Sequence, residues 1–96
     1  MLTSNEIIQF LKKNKTFLRE QFHCSEIGLF GSFSDNTHNE DSDIDILVEL
    51  ERPIGWKFFS LELYLESIFK RKIDLVTKNA LKLQIKDSIL KQVNYV

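Results

Sequence analysis

Residues 43–50 restrict the fold more than any other segment, because apolar side chains occupy every second position along them. If this segment is extended, one face is wholly apolar and the other begins with two acids. The apolar face holds Ile44, Ile46, Val48 and Leu50, and the other holds Asp43, Asp45, Leu47 and Glu49. A strand with one apolar face needs a packed layer against it, so the sequence predicts a sheet covered by helices.

The flanking segments supply the other elements of an α/β protein with α+β character. Helical spacing of apolar residues predicts three helices, over residues 4–20, 56–69 and 80–93. Short apolar runs predict two further strands, with an extended chain end, over residues 27–30, 73–76 and 94–96. The order α-β-β-α-β-α predicts a short mixed sheet of three to four strands flanked by helices.

The composition is that of an ordinary soluble globular protein, which excludes several classes of function. The 96 residues are 43% apolar and 28% charged with a net charge of −1, so we expect one domain over residues 1–96. No basic excess is present to hold a nucleic-acid backbone, so stable nucleic-acid binding is not expected. No apolar run approaches a membrane span or a signal peptide, and the single cysteine, Cys24, fits a cytoplasmic location.

Two acids begin the second predicted strand, where acidic residues need an explanation. Asp43 and Asp45 share one face of the strand, about 7 Å apart along it. Carboxylates at this spacing can converge on one hard cation or bridge two metal ions. The alternative is that Asp41 to Asp43 form a solvated turn before the strand, and the spacing alone does not decide between the two.

A third acid, Asp74, interrupts the apolar run of the third predicted strand. If that strand is central and covered, burying an unpaired carboxylate there costs about several kcal/mol. The carboxylate would then need a charged partner or a cation. Asp74 is therefore a candidate third metal ligand, or the base that takes a proton from an attacking hydroxyl. The alternative is a salt bridge to Lys57, Arg71 or Lys72.

Gly31 and Ser32 close the first predicted strand, ten residues before the acidic segment. Glycine allows a phosphate to approach the backbone, serine adds a hydroxyl, and N–H groups at a helix start favour anions. A turn glycine without a ligand is the alternative. A phosphate-binding turn beside three carboxylate side chains is the minimum set of groups for metal-assisted phosphoryl or nucleotidyl transfer.

With these motifs the chain resembles the minimal nucleotidyltransferases, small relatives of the DNA polymerase β superfamily. The resemblance lies in LFGSF at residues 29–33, DSDIDILVE at 41–49 and KIDLVT at 72–77, and it runs nearly end to end. Members of this family are often encoded beside a HEPN-domain protein, as the antitoxin of a toxin–antitoxin pair. The resemblance implies the small nucleotidyltransferase fold and a HEPN-domain toxin as partner.

The resemblance also implies roles for the site residues. Gly31 and Ser32 would bind the phosphates of a nucleoside triphosphate, Asp43 and Asp45 would bind two Mg²⁺ ions, and Asp74 would complete the triad. The reaction would transfer AMP from ATP to a hydroxyl, a tyrosine of the HEPN toxin, and release pyrophosphate.

One pair of residues departs from the family pattern. Asp35 and Asn36 stand where the family usually has Arg-Gly, so an anion replaces a cation near the triphosphate. At about 5 Å and an effective dielectric of about 20, this exchange costs several kcal/mol per phosphate charge before screening. The departure motivates an alternative function: a partner-binding or nucleotide-binding module that neutralises the toxin by complex formation, with impaired catalysis.

Three further sets of residues are interpreted as structural. The aromatic residues at the start of the second predicted helix are expected to pack in the protein core rather than to form a base-stacking platform; they are Trp56, Phe58 and Phe59. Lys70-Arg71-Lys72 is predicted to be a solvent-exposed segment at the end of the second helix. His38 is predicted to be a solvent-exposed loop residue.

Overall fold

A computed structural model of the protein describes residues 2–34, 37–81 and 83–96, without the side chains of Leu83 and Gln84. These residues form four helices and four strands. In chain order they are α1 (Ser4–Lys13), α2 (Lys15–Phe22), β1 (Cys24–Phe30), β2 (Ile44–Leu50), α3 (Lys57–Phe69), β3 (Ile73–Thr77), α4 (Leu83–Gln92) and β4 (Asn94–Tyr95). Two short 3₁₀ turns, Gly31–Phe33 and Lys78–Ala80, follow β1 and β3.

The four strands form one mixed sheet in the order β3-β2-β1-β4. β1 runs antiparallel to both β2 and β4, whereas β2 and β3 run parallel. A parallel pair needs a crossover connection, and α3 provides it between β2 and β3. The predicted α/β class and mixed sheet are therefore confirmed, and the chain end at residues 94–96 supplies the fourth strand.

The apolar face of β2 forms the centre of the core, as the alternation predicts. Ile44, Ile46 and Val48 are fully buried and belong to one cluster with buried residues of α1, α2 and α3. The helical members are Ile7, Leu11, Leu18, Phe22, Leu61 and Leu65. Cys24 lies in the same cluster, and burial raises the pKa of its thiol to about 11, which keeps it protonated and unreactive at neutral pH.

The single first helix predicted over residues 4–20 is wrong, because the structure has two helices that meet at Asn14. The Asn14 side-chain amide donates to the Phe10 carbonyl at 2.9 Å, which gives that end of α1 a local alternative to helix continuation. The N-terminal end of α1 has a cap at Thr3, whose hydroxyl accepts from the Glu6 N–H. Both helices contribute to the same core cluster, α1 with Ile7 and Leu11 and α2 with Leu18 and Phe22.

The prediction that the aromatic residues at the start of α3 lie in the core is wrong for two of the three. Trp56 is 85% exposed and Phe59 is 56% exposed, whereas Phe58 is half-buried against the core. α3 buries Leu61 and Leu65 and presents apolar side chains on its outer face as well. Periodicity alone does not distinguish these two faces, because both are apolar.

The C-terminal segment returns to the sheet edge and contacts the turn after β1. The Ser34 hydroxyl donates to the Gln92 carbonyl at 2.6 Å and accepts from the Asn94 amide at 3.0 Å. A Cβ on Gly28 of β1 would collide with the Val93 side chain, so glycine at this position lets the segment lie close to the sheet. Among the described residues, no helix has the length and apolar character to cross a membrane.

Candidate active site

The topology brings the predicted site residues to one end of the sheet. β1 ends where β2 begins because the two strands are antiparallel, and β3 begins at the same end because it is parallel to β2. Phe30 is the cross-strand partner of Asp45, so Gly31 follows directly beside that acid. Asp74 is the partner of Asp45 on the other side. The three predicted segments therefore meet around Asp45.

Asp74 lies beside Asp45, but its strand is not the covered central strand that we predicted. β3 forms an edge of the sheet, and Asp74 is exposed. Strand order depends on the crossover of α3, which no local pattern in the sequence specifies. The alternative of a salt bridge is not found among the described residues, where the ion pairs are Arg19 with Glu51 and Lys78 with Glu49. Asp74 instead lies opposite Asp45 on the neighbouring strand, close enough to raise the pKa of the Asp45 carboxyl group.

The environment of Asp45 opposes its negative charge. Burial raises the pKa of this carboxyl, the charge and hydrogen bond of Asp74 raise it further, and Asp43 adds a smaller repulsion, which brings it to about 6. Asp43 precedes β2 and is exposed, and it acts on Asp45 through charge. The site is thus an accumulation of negative charge that a cation would stabilise.

The donor set fits a hard divalent cation such as Mg²⁺. All three side chains offer carboxylate oxygen, which Mg²⁺ prefers, and two of them are already in contact. In the part of the chain that the structure describes, no three acidic, histidine or cysteine side chains converge closely enough to form a ready-made metal cluster. The three carboxylates must therefore move closer together for all of them to share one ion.

The raised pKa of Asp45 predicts that the metal-free protein becomes more stable when this group is neutral. The folded-state pKa of about 6 lies above the ordinary value of 3.8, so the native state binds this proton more tightly than the unfolded state does. The stability contributed by protonation is fully present below pH 3.8 and is lost as the pH rises through about 6. After discounting for solvent screening at a half-exposed group, we expect a difference on the order of 1 kcal/mol.

The measurement is urea unfolding of the wild type and of Asp45→Asn in EDTA, from pH 5 to pH 8. We expect Asp45→Asn to be the more stable protein at pH 8 and the difference to shrink toward pH 5. Subtraction of the two profiles removes the contribution of every other titrating group. Equal stability at both pH values would show that Asp45 is not under electrostatic strain.

Gly31 is required by its backbone conformation and by its neighbour. Its φ is +73°, in the left-handed region that side chains other than glycine rarely adopt. A Cβ built on Gly31 would lie 2.9 Å from the Asp45 Cγ and closer still to a carboxylate oxygen. The glycine turn and the acid are therefore packed against each other, and Ser32 follows half-buried in the same 3₁₀ turn.

Arg71 holds the loop before the acids, a role that the sequence did not indicate. Its guanidinium donates to the carbonyls of Ser42 at 2.9 Å and Asn39 at 3.4 Å, and lies 5.5 Å from the centre of the Phe33 ring. The predicted solvated position of Arg71 is therefore wrong, because the residue is half-buried and held by these contacts. Arg71, three residues before Asp74, thus links the Gly31 turn, through Phe33, to the loop that precedes Asp43.

His38 stacks on the Phe33 ring with centroids 4.1 Å apart and an angle of 12° between the planes. It is half-buried, so its predicted solvation is wrong. Phe33 itself is fully buried, and its carbonyl accepts from the Ser4 hydroxyl of α1. Phe33 thus holds the turn after Gly31 and Ser32 through its ring contact with His38 and its hydrogen bond with Ser4.

If the site binds Mg-ATP, as the resemblance implies, we predict that Arg71→Met weakens this binding about tenfold, because the loop at residues 39–42 loses the hydrogen bonds that hold it beside Asp43. The loss of two charge-assisted bonds and a cation–π contact lowers the free energy of unfolding by about 2 kcal/mol. Calorimetric titration with Mg-ATP and urea unfolding measure the two effects. Lys72→Met, which removes an exposed neighbouring charge, is the control. Unchanged binding in Arg71→Met would contradict the assignment.

The departure at Asp35 and Asn36 lies outside the described residues, so its effect on the site stays a prediction.

Comparison with known proteins identifies the family and the fold. The nucleotidyltransferase domain family matches residues 11–96. The protein adenylyltransferase MntA of Thermococcus cleftensis is 46% identical over 97 residues, which cover 100% of this chain and 98% of that protein.

Two solved toxin–antitoxin structures are also similar. A toxin–antitoxin crystal structure with AMP-PNP matches with a TM-score of 0.70 and 27% identity, over 98% of this chain and 72% of that one. A complex of the tri-AMPylated Shewanella oneidensis HEPN toxin with its MNT antitoxin matches with a TM-score of 0.61 and 25% identity, over 96% and 66%. These similarities confirm the predicted fold and the resemblance stated from the sequence.

Proposed function

Because the chain belongs to the nucleotidyltransferase domain family, we propose that it is an antitoxin that transfers AMP from ATP to a tyrosine hydroxyl of a partner HEPN toxin. The observation that carries this proposal is the meeting of Gly31, Asp45 and Asp74 at one end of the sheet. A 46% identical relative is named a protein adenylyltransferase, and a similar complex contains an AMPylated HEPN toxin. Both similarities support the choice of AMP and of the partner.

The proposal assigns each site residue a task. Asp43 and Asp45 would hold two Mg²⁺ ions, with Asp74 as a third carboxylate at the same edge. Bound Mg²⁺ supplies charge neutralisation for the phosphates and polarises the reacting phosphoryl oxygen. The Gly31 turn would let the phosphates approach the backbone beside Asp45, and Ser32 would donate its hydroxyl to a phosphate oxygen.

The chemical step is an in-line displacement at the α-phosphorus of ATP. The acceptor hydroxyl oxygen forms the new P–O bond, and the bond from the α-phosphorus to the bridging oxygen breaks, which releases pyrophosphate. The proton of the hydroxyl passes to a carboxylate. We assign this task to Asp74, because it is exposed at the sheet edge, whereas Asp45 is half-buried beside the Gly31 turn.

The test uses two differently labelled ATP molecules with the protein and its cognate HEPN-domain partner in Mg²⁺. Transfer of AMP moves label from [α-³²P]ATP to the partner and none from [γ-³²P]ATP. Label from the γ-position alone would mean phosphoryl transfer and would refute the proposal. Phosphatase-resistant but phosphodiesterase-sensitive label on a tyrosine would identify the acceptor.

A second candidate function rests on Asp35 and Asn36, which replace the family's Arg-Gly. In this alternative the protein keeps the fold but neutralises the toxin by binding alone. The double variant Asp43→Asn with Asp45→Asn separates the two functions in a growth assay with the co-expressed toxin. Continued protection supports neutralisation by binding, and loss of protection while the complex persists supports catalysis.

A further inference from the structure

The outer face of α3 carries the most exposed apolar surface of the described residues. Trp56, Phe59 and Leu63 are 85%, 56% and 64% exposed, and they are spaced i, i+3 and i+7. This spacing places them on one stripe, opposite the side that buries Leu61 and Leu65. We call these three residues the outer stripe. Typical side-chain areas give it roughly 400 Å² of accessible surface, a size that marks an interaction site on a small protein.

A basic pocket of about 320 Å³ lies at the N-terminal end of the same helix. Its basic side chains are His23, Arg52 and Lys57, and Lys57 follows Trp56 directly. Arg52 contacts the His23 Nε2 at 2.9 Å, and the Lys57 Nζ donates to the Gln21 carbonyl at 3.4 Å. Within the described ranges, no carboxylate pairs with either cation. The pocket therefore offers positive charge to an anionic group from outside.

We propose that the outer stripe and the basic pocket together form the docking surface for an amphipathic helix of the partner toxin. That helix carries an apolar face for the stripe and a carboxylate side chain for the pocket. The i, i+3, i+7 spacing matches the way one helix packs along another. Exposed Trp and Arg side chains are also the types that contribute most to binding at protein interfaces. This inference rests on the proposed function for the identity of the partner.

Two other occupants fit these observations less well. A second copy packed stripe to stripe would leave the basic pocket without an anionic partner, whereas the proposed helix occupies both the stripe and the pocket. Single-stranded RNA needs open stacking surfaces, but Trp56 and Phe59 pack on each other with ring centroids 5.7 Å apart.

The test measures complex formation separately from catalysis. Affinity for the cognate HEPN-domain protein is determined by calorimetry without nucleotide, for the wild type and for Phe59→Ser with Leu63→Ser. A second variant, Arg52→Glu with Lys57→Glu, reverses the charge of the pocket. Ile85→Ser, at an exposed apolar position of α4, and Lys12→Glu with Lys13→Glu on α1 are matched controls. Circular dichroism and Mg-ATP binding show that each variant is folded with an intact site.

We expect about thirtyfold weaker binding in each test variant and wild-type binding in each control. Added salt weakens the wild-type complex but not the charge-reversed one. Wild-type affinity in the stripe variant would overturn the proposal, and so would absence of binding by the wild type. A stripe-dependent dimer in sedimentation, or stripe-dependent RNA binding, with toxin affinity unchanged would overturn it in favour of that occupant. A stripe-dependent complex without AMP transfer would refute the proposed function and leave this inference standing.

Discussion

Asp45→Asn is expected to reduce AMP transfer by about 10³-fold or more while leaving the protein folded. The substitution removes the charge at the centre of the carboxylate group, where Asp45 contacts Asp74 and is repelled by Asp43. A metal ion at such a site supplies several kcal/mol of transition-state stabilisation, which corresponds to about this factor. The measurement is the initial rate of label transfer from [α-³²P]ATP to the partner under single-turnover conditions.

A matched control distinguishes a chemical effect from a structural one. Asp41→Asn removes an exposed acid from the loop two residues before Asp43 and should keep a rate within about threefold of the wild type. Because the neutral asparagine removes the electrostatic repulsion at this position, Asp45→Asn should also be more stable than the wild type at pH 8. Full activity in Asp45→Asn would eliminate this residue from the reaction.

Gly31→Ala is expected to cause the second large effect, on both stability and activity. Alanine at a φ of +73° costs about 1–2 kcal/mol, and its Cβ would force the Asp45 carboxyl group away from the turn. We therefore expect the free energy of unfolding to fall by about 2 kcal/mol and the transfer rate by about 10²-fold. Urea unfolding and the single-turnover assay measure the two quantities on the same preparation.

Gly55→Ala is the control, because this glycine has nearly the same backbone conformation without the neighbour. Its φ is +58°, and a Cβ there meets no atom within 4 Å. It should lose about 1 kcal/mol of stability and keep normal activity. If Gly31→Ala behaved in the same way as Gly55→Ala, the contact between the turn and Asp45 would have no functional importance.

The positions of the second strand and of the candidate site residues could be predicted in large part because they depend on local patterns. The alternation over residues 43–50 predicted the buried face with Ile44, Ile46 and Val48. It placed Asp45 in the strand, but β2 begins at Ile44, so Asp43 lies just before it. The order of Gly31, Asp45 and Asp74 along the chain then indicated one site. These residues lie together because β1 pairs antiparallel with β2 and β3 pairs parallel with β2.

The incorrect predictions concern properties that depend on distant parts of the chain. Asp74 lies on an edge strand because α3 crosses over to that side, and the strand sequence is apolar in either position. Trp56 and Phe59 lie on a helix that is apolar on two faces, so the pattern did not show which face meets the sheet. Arg71 is held by a loop about thirty residues earlier, a contact that no spacing rule describes.

The intact mass of the partner toxin, after incubation with this protein and Mg-ATP, decides whether the protein transfers AMP. We expect that each modified toxin chain gains the mass of one or more AMP groups, that the antitoxin chain keeps its mass, and that Asp45→Asn abolishes the gain. A stable complex in which both masses are unchanged, while the toxin remains neutralised, would refute AMP transfer and identify the protein as a binding antitoxin.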